Sequence, residues 1–220
     1  RDSSTSRGLG DVYKRQIIGW MSNWDYAQEV PTQAWRSSMT VAREVSLKKT
    51  IDGYILRNIP VSQLKKYQGK SIRKTIKVKA ENQLIEKSQI DLSKAVLDLD
   101  LKKMTAGKYT FALKNALGEE LTFGIDNTAK ELFVDRSKSG KTDFGNQFAT
   151  AVTKAPLDKL YSNAKMKLVI DKTSIEIFFN DGEKVLTEIF FPNEHFSELA
   201  LSTDTKGSTL KIKGHQLNIK

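Results

Sequence analysis

The chain has 220 residues, of which 39% are hydrophobic and 28% charged; it carries a formal net charge of +10 and no cysteine. That length can bury a sizeable core, either as one large domain or as one domain plus a piece of another. Disulfides, thiolate metal sites and thiol nucleophiles are excluded, no apolar run approaches the ~20 residues of a membrane-spanning helix, and the N-terminus lacks the apolar core of a signal peptide.

Residues 1–16 (RDSSTSRGLGDVYKRQ) are polar, rich in Ser, Gly and Arg, and without periodicity. They resemble translated adapter sequence and are set aside from the expected fold, so the protein proper is expected to begin near Ile17, in mid-domain. Ile17 to Met21 reads as a strand, Asn23 to Thr32 as a loop carrying Trp24, Tyr26 and Pro31, and Met39 to Leu47 as a second strand. Asp52-Gly53 is a hairpin turn before a third strand at Tyr54 to Leu56. A few short antiparallel strands do not stand alone in water, so this part needs a larger sheet array. Residues 60–70 are the linker candidate: Pro60 opens it, Ser62 caps a helical turn, and Gly69 closes it.

Beyond Ser71 the hydrophobic period is close to two. Strands are expected at Ile72 to Val78, Ala95 to Leu101, Lys108 to Leu113, Leu121 to Ile125 and Glu131 to Val134. After a longer loop come Lys167 to Ile170, Ser174 to Phe179, Lys184 to Phe191, Glu198 to Leu201, Thr209 to Lys213 and Gln216 to Ile219. Asn180-Asp181-Gly182 is a further hairpin signal. About a dozen short strands at roughly ten-residue spacing indicate an all-β chain ending in an antiparallel β-sandwich.

The positive charge is mostly lysine placed singly on outward positions of alternating strands (Lys77 and Lys79, Lys165 and Lys167, Lys211 and Lys213), which reads as a solvated surface rather than a nucleic-acid interface. The acidic residues Asp98, Asp100, Glu176 and Glu188 fall on polar strand faces and are expected to be solvated as well. His195 and His215 are the only histidines; neither has a metal-ligand spacing, His195 is expected in a loop, and neither a metal nor a cofactor is expected. Ser139-Gly140-Lys141-Thr142 is no phosphate loop, because Asp135 stands where the earlier glycine belongs and no helix is expected to follow.

Trp20, Trp24, Tyr26 and Trp35 are the densest feature and include every tryptophan of the chain. Such residues pair a flat apolar face with a polar tip, which suits stacking under a sugar ring; they equally suit a core. The polar Ser22, Asn23 and Asp25 between them add the convergent groups a pocket needs.

Gly19-Trp20-Met21-Ser22-Asn23-Trp24-Asp25-Tyr26-Ala27, then Val30-Pro31-Thr32, Trp35-Arg36-Ser37-Ser38-Met39 and Arg43-Glu44-Val45-Ser46-Leu47, resembles the last propeller blade of the glycoside hydrolase family 32 fructan hydrolases: levanases, exo-inulinases and invertases. Leu132-Phe133-Val134-Asp135-Arg136-Ser137 and the run from Ile170 through Asn180-Asp181-Gly182-Glu183 to Phe191-Pro192 are similar to that family's C-terminal sandwich. The resemblance implies a five-bladed propeller with a funnel-shaped active site packed on a β-sandwich, here with residues 17–59 as final propeller strands and 71–220 as sandwich. It implies a retaining mechanism with two carboxylates about 5–5.5 Å apart, carried by Asn-Asp-Pro-Asn-Gly and Glu-Cys motifs, with an Arg-Asp-Pro stabiliser. None of these motifs occurs in the sequence, so the catalytic groups are expected upstream and the chain alone is expected to be inactive. For this chain it implies Trp20 as a pocket wall beside the terminal fructose, Asn23 and Trp24 bordering it, and Trp35 and Arg36 holding the loop. The implied partner is a fructan or fructo-oligosaccharide (levan, inulin or sucrose-type), and the implied location periplasmic or extracellular. Two readings from other classes stand beside it: a stand-alone β-sandwich carbohydrate-binding module, and a basic surface-binding protein.

Overall fold

The computed structural model describes residues 15–51 and 53–219. A small antiparallel sheet comes first, with order β1-β2-β3: β1 (Arg15–Ile17), β2 (Arg43–Thr50) and β3 (Gly53–Pro60). A 3-10 helix, Ser62–Tyr67, leads to β4 (Gln68–Lys77), β5 (Glu81–Ile85), β6 (Ala95–Lys102), β7 (Lys108–Lys114), β8 (Glu120–Asp126) and β9 (Glu131–Asp135). A long loop then precedes β10 (Thr153–Pro156), β11 (Asn163–Asp171), β12 (Ser174–Phe179), β13 (Lys184–Ile189), β14 (Glu198–Thr203) and β15 (Thr209–Leu217). These form two six-stranded antiparallel sheets, β10-β9-β8-β7-β14-β5 and β13-β12-β11-β6-β15-β4.

The alternation that marks the strands also builds the sandwich core. In β6, Leu97, Leu99 and Leu101 point inward and are buried, while Asp98 and Asp100 point outward. In the opposite sheet Phe111 and Phe123 are direct cross-strand partners, stacked with ring centres 5.6 Å apart. Side chains of this size contribute about 1.5–3 kcal/mol each when fully buried, so the sandwich has ample reason to hold together. The outward lysines are less solitary than the sequence suggests. Lys165 and Lys211 flank Asp100 in register, Lys167 and Lys213 flank Asp98, and Lys167 is ion-paired to Asp98.

Several boundaries differ from expectation. Residues 1–14 lie outside the described residues, but Arg15 and Gln16, set aside with them, belong to β1 and pair with Val45 and Glu44. Asp52 of the expected turn also lies outside. The strand expected at Ile17 to Met21 stops at Ile17; Trp20 and Met39 meet only in an isolated bridge. In the linker region Val61, not Ser62, precedes the helix, no side chain caps it, and Gly69 lies inside β4. β5 and the edge strand β10 have no counterpart among the expected strands: β5 does not alternate, and the Pro156 of β10 is tolerated because an edge strand need not donate on its outer side. The two C-terminal strands are one, since Gly214 does not interrupt β15. It sits opposite Leu97, and a Cβ there would overlap Leu97 Cδ2, so glycine is required by close approach rather than by a turn.

β12 shows why the small sheet belongs to the same body. All six of its residues are buried. Ile175, Ile177 and Phe179 fill the sandwich core, whereas Glu176 and Phe178 on the other face are covered by the N-terminal part. There Val96, Val169, Phe178 and Leu217 form a separate apolar cluster with Val41, Leu64 and Val185. Glu176 is therefore not solvated: only 1% exposed, it accepts from Val41 N (2.8 Å) and from Arg43 Nε (2.9 Å) and is ion-paired with Arg43. At the far end of the seam the β12–β13 turn receives a backbone bond, Asn58 N to Gly182 O, at 3.0 Å.

Candidate functional site

The loop between β1 and β2 carries all the tryptophans. Its two ends are laced together by Gly19 N to Thr40 Oγ1 (2.9 Å), Thr40 N to Gly19 O (2.8 Å) and Met21 N to Ser38 O (2.9 Å). At its tip Tyr26 N and Ala27 N both donate to Asn23 O, closing a tight turn. That turn brings Trp20 and Trp24 together, with ring centres 5.0 Å apart and planes tilted by 57°. Trp20 is 36% exposed and Trp24 79% exposed. Two large rings left in water side by side are costly unless something stacks on them. Asn23 stands beside them, its Nδ2 donating to Asp25 Oδ2 (2.8 Å) and its Oδ1 accepting from Asp25 N (3.3 Å). Among the described residues, one N–H and one lone pair of the amide have no partner. The arrangement offers a flat apolar wall with an oriented polar group at its margin, which can hold a sugar ring and can break no bond.

The four aromatics expected as one cluster separate into three roles. Tyr26 is buried and joins Met21 and Val30 in an apolar cluster with Phe148, Ile189 and Phe191 of the sandwich. Its ring meets Phe148 edge-on, with centres 5.1 Å apart. Trp35 sits apart from the pair, with its carbonyl accepting from Thr32 Oγ1, and Arg36 donates to Gln28 O and, at 3.5 Å, to Val30 O. The loop-holding role expected of Arg36 thus has its contacts.

Arg136 carries no expected role beyond its place in a sandwich motif, yet it is central here. Its guanidinium lies 4.1 Å from the Phe148 ring centre and 5.3 Å from that of Tyr26. Its Nη1 donates to Ile189 O (3.1 Å) and is 2.9 Å from Glu188 Oε2. Glu188, like Glu176, is buried rather than solvated. The sequence offers no local signal for this: each acid, in β12 and β13, meets an arginine far away in the chain.

Buried carboxylates are ordinarily the first candidates for acid–base chemistry. Burial pushes the Glu176 carboxyl above its usual range, against the pull of the Val41 N–H and the Arg43 guanidinium. Both Glu176 and Glu188 are committed to arginines, however, and neither adjoins the tryptophans. Asp181 sits in the β12–β13 turn, and His195 is an exposed loop residue. Grooves of about 840 and 550 Å3 run along the outer face of β6, β11 and β15 beside Pro60, lined by lysines and Asp98 and not by Trp20 or Trp24. No helix among the described residues is long and apolar enough to cross a membrane.

Residues 63–218 match the family described as glycosyl hydrolases family 32 C terminal, and residues 5–60 match the glycosyl hydrolases family 32 N-terminal domain. A levanase of Bacillus subtilis is 32% identical over 201 residues, an alignment covering 90% of this chain and 30% of the levanase. The extracellular exo-inulinase inuE of Aspergillus niger is 28% identical over 211 residues, covering 92% of this chain and 38% of its own length. The crystal structure of exo-inulinase from Aspergillus awamori superimposes with a TM-score of 0.78 at 27% identity, covering 95% of this chain and 42% of that one. A β-fructofuranosidase from Schwanniomyces occidentalis, solved with fructosyl-erythritol, shares the fold with a TM-score of 0.77 at 22% identity, covering 93% of this chain and 45% of that one. The chain therefore spans 30–45% of the length of these relatives.

Proposed function

The chain belongs to glycosyl hydrolase family 32, a final propeller blade followed by a β-sandwich, and from that membership we propose that it is the C-terminal part of a retaining exo-fructan hydrolase releasing fructose from levan, inulin or sucrose-type substrates. The exposed Trp20–Trp24 pair carries the reading. Two large apolar rings face water there, in contact with each other and beside an amide fixed by Asp25. Trp20 supplies a wall for the terminal fructose, Trp24 and Asn23 border it, and the relatives named as levanases and exo-inulinases indicate the class of sugar. The domains divide at residues 60–70. The parent acts outside the cytoplasm, a reading supported by the relatives named extracellular.

The attacking carboxylate and the acid/base come from the rest of the enzyme, so the 220-residue chain should release no fructose from levan; measurable release would overturn this division of labour. In the full-length enzyme Trp20→Ala should raise KM for short fructo-oligosaccharides about tenfold, the equivalent of ~1.4 kcal/mol of lost stacking. An unchanged KM would remove Trp20 from the pocket.

A further inference from the structure

The aromatic loop is anchored less by its own sheet than by the sandwich. Its underside residues Met21, Tyr26 and Val30 are buried against Phe148, Ile189 and Phe191, with Phe144 alongside. Phe144, Phe148 and Phe191 pack on one another with ring centres 4.5 to 5.7 Å apart. Phe144 and Phe148 come from the long loop after β9, and that loop is pinned to the end of β13 by Lys141 N donating to Phe191 O at 2.9 Å. Arg136 closes the arrangement. It touches both Phe148 and Tyr26 while held by Glu188 and Ile189 O. Met21 directly follows Trp20, and Tyr26 lies two residues after Trp24, so each exposed ring is tethered to a residue that the sandwich fixes.

We propose that Arg136 is a positioning residue for the sugar platform: through Tyr26 and Phe148 the sandwich sets where the Trp20 and Trp24 rings stand. Phe148 shares this role. The inference rests on the pocket reading for its consequence in substrate binding, but the hold on the loop is a separate, measurable fact. An arginine suits the task because its planar, permanently charged guanidinium can face two ring surfaces while its edge donates to a carbonyl and ion-pairs with a carboxylate. A lysine would keep the charge and lose the flat contact.

The tryptophans provide the readout. All three lie between residues 20 and 35, so emission excited at the red edge reports on this loop and on nothing in the sandwich. In the 220-residue chain, Arg136→Ala should shift emission to longer wavelength and raise acrylamide quenching about twofold, while far-UV circular dichroism keeps the sandwich signal. Arg136→Lys should restore little of the original emission. Since Arg136→Ala leaves Glu188 buried and unpaired, the neutral pair Arg136→Gln/Glu188→Gln provides a second, less disruptive variant with the same expected change. Unaltered emission and quenching in a folded variant of either kind overturns the proposal. In the full-length enzyme, Arg136→Lys should raise KM several-fold with kcat nearly unchanged, the signature of a displaced binding wall; equal loss in both would mark a merely structural role and overturn it. If the loop signal changes while the wild-type enzyme's KM is insensitive to Trp20→Ala, the hold on the loop stands and the pocket reading falls.

Discussion

Replacing Arg43 by Ala should be among the most damaging single changes in the blade. Glu176 is 1% exposed, and among the described residues its partners are the Arg43 guanidinium and the Val41 N–H. Removing one member of such a pair strands a charge in a medium that solvates it poorly and costs about 3–5 kcal/mol, a large share of the 5–15 kcal/mol typical of whole domains. At about 2–4 °C per kcal/mol for a chain of this size, the melting temperature should fall by about 6–20 °C. The loss has a pH signature. Burial already pushes the Glu176 carboxyl upward, and without Arg43 it rises further. The penalty is then full above the folded pKa and fades as pH falls towards the unfolded value of about 4.3. Lys48→Ala is the internal control: Lys48 pairs with Glu183 across the same seam but is exposed, and such pairs are worth about 0–1 kcal/mol. Arg43→Met/Glu176→Leu removes both charges and should melt close to wild type. Calorimetry or circular dichroism across pH 4 to 8 measures all three. A shift below about 2 °C for Arg43→Ala, or a double variant as unstable as the single one, would refute the reasoning.

Gly182 has φ +84°, and a Cβ there would overlap the Asn58 carbonyl, so Gly182→Ala should destabilise by about 2 kcal/mol or more, measured by denaturant unfolding; a neutral result would mean that the seam is loose at this end. The Tyr161 hydroxyl donates to Asp158 Oδ1 at 2.6 Å; this bond lowers the Asp158 carboxyl, while burial and then the same bond raise the Tyr161 phenol. Asp158's contribution is therefore present above about pH 4 and lost as pH falls through its lowered pKa, and Tyr161's is present below about pH 10 and lost as pH rises through its raised one. Melting curves of Tyr161→Phe should lack both arms, and curves parallel to wild type would contradict this. Leu47 and Leu56 face each other across β2 and β3 and are 69% and 53% exposed. Leu47→Glu/Leu56→Lys should reduce concentration-dependent association in sedimentation experiments without lowering the melting temperature.

The sandwich was legible because its physics is local. Alternation in Ala95 to Leu101 or Ser174 to Phe179 records which side chain meets the opposite sheet, and a period of two survives in a single strand's letters. The failures share a cause. β5 and β10 take their strand character from neighbours that supply partners, Gly214 from Leu97 across the sheet, and Arg15 and Gln16 from β2. None of those partners is adjacent in sequence, so no local pattern announces them.

The same limit explains the polar residues. An outward-facing acid on an alternating strand looks the same whether water or another part of the protein covers it, which is why Glu176 resembled Asp98 on paper while the two end in opposite environments. What separates them is that the N-terminal part covers β12 at Glu176, whereas on β6 it covers Val96 and leaves Asp98 exposed. Position on the sheet, not residue type, therefore determines which charges matter to the fold. The same holds for the aromatics: Tyr26 differs from Trp24 by one turn of loop, yet one is clamped under Arg136 and the other lies in water. A buried tyrosine two residues from an exposed tryptophan joins the sandwich to the exposed ring pair, and the Arg136 variants isolate that link because the sandwich contains no tryptophan to confuse the signal.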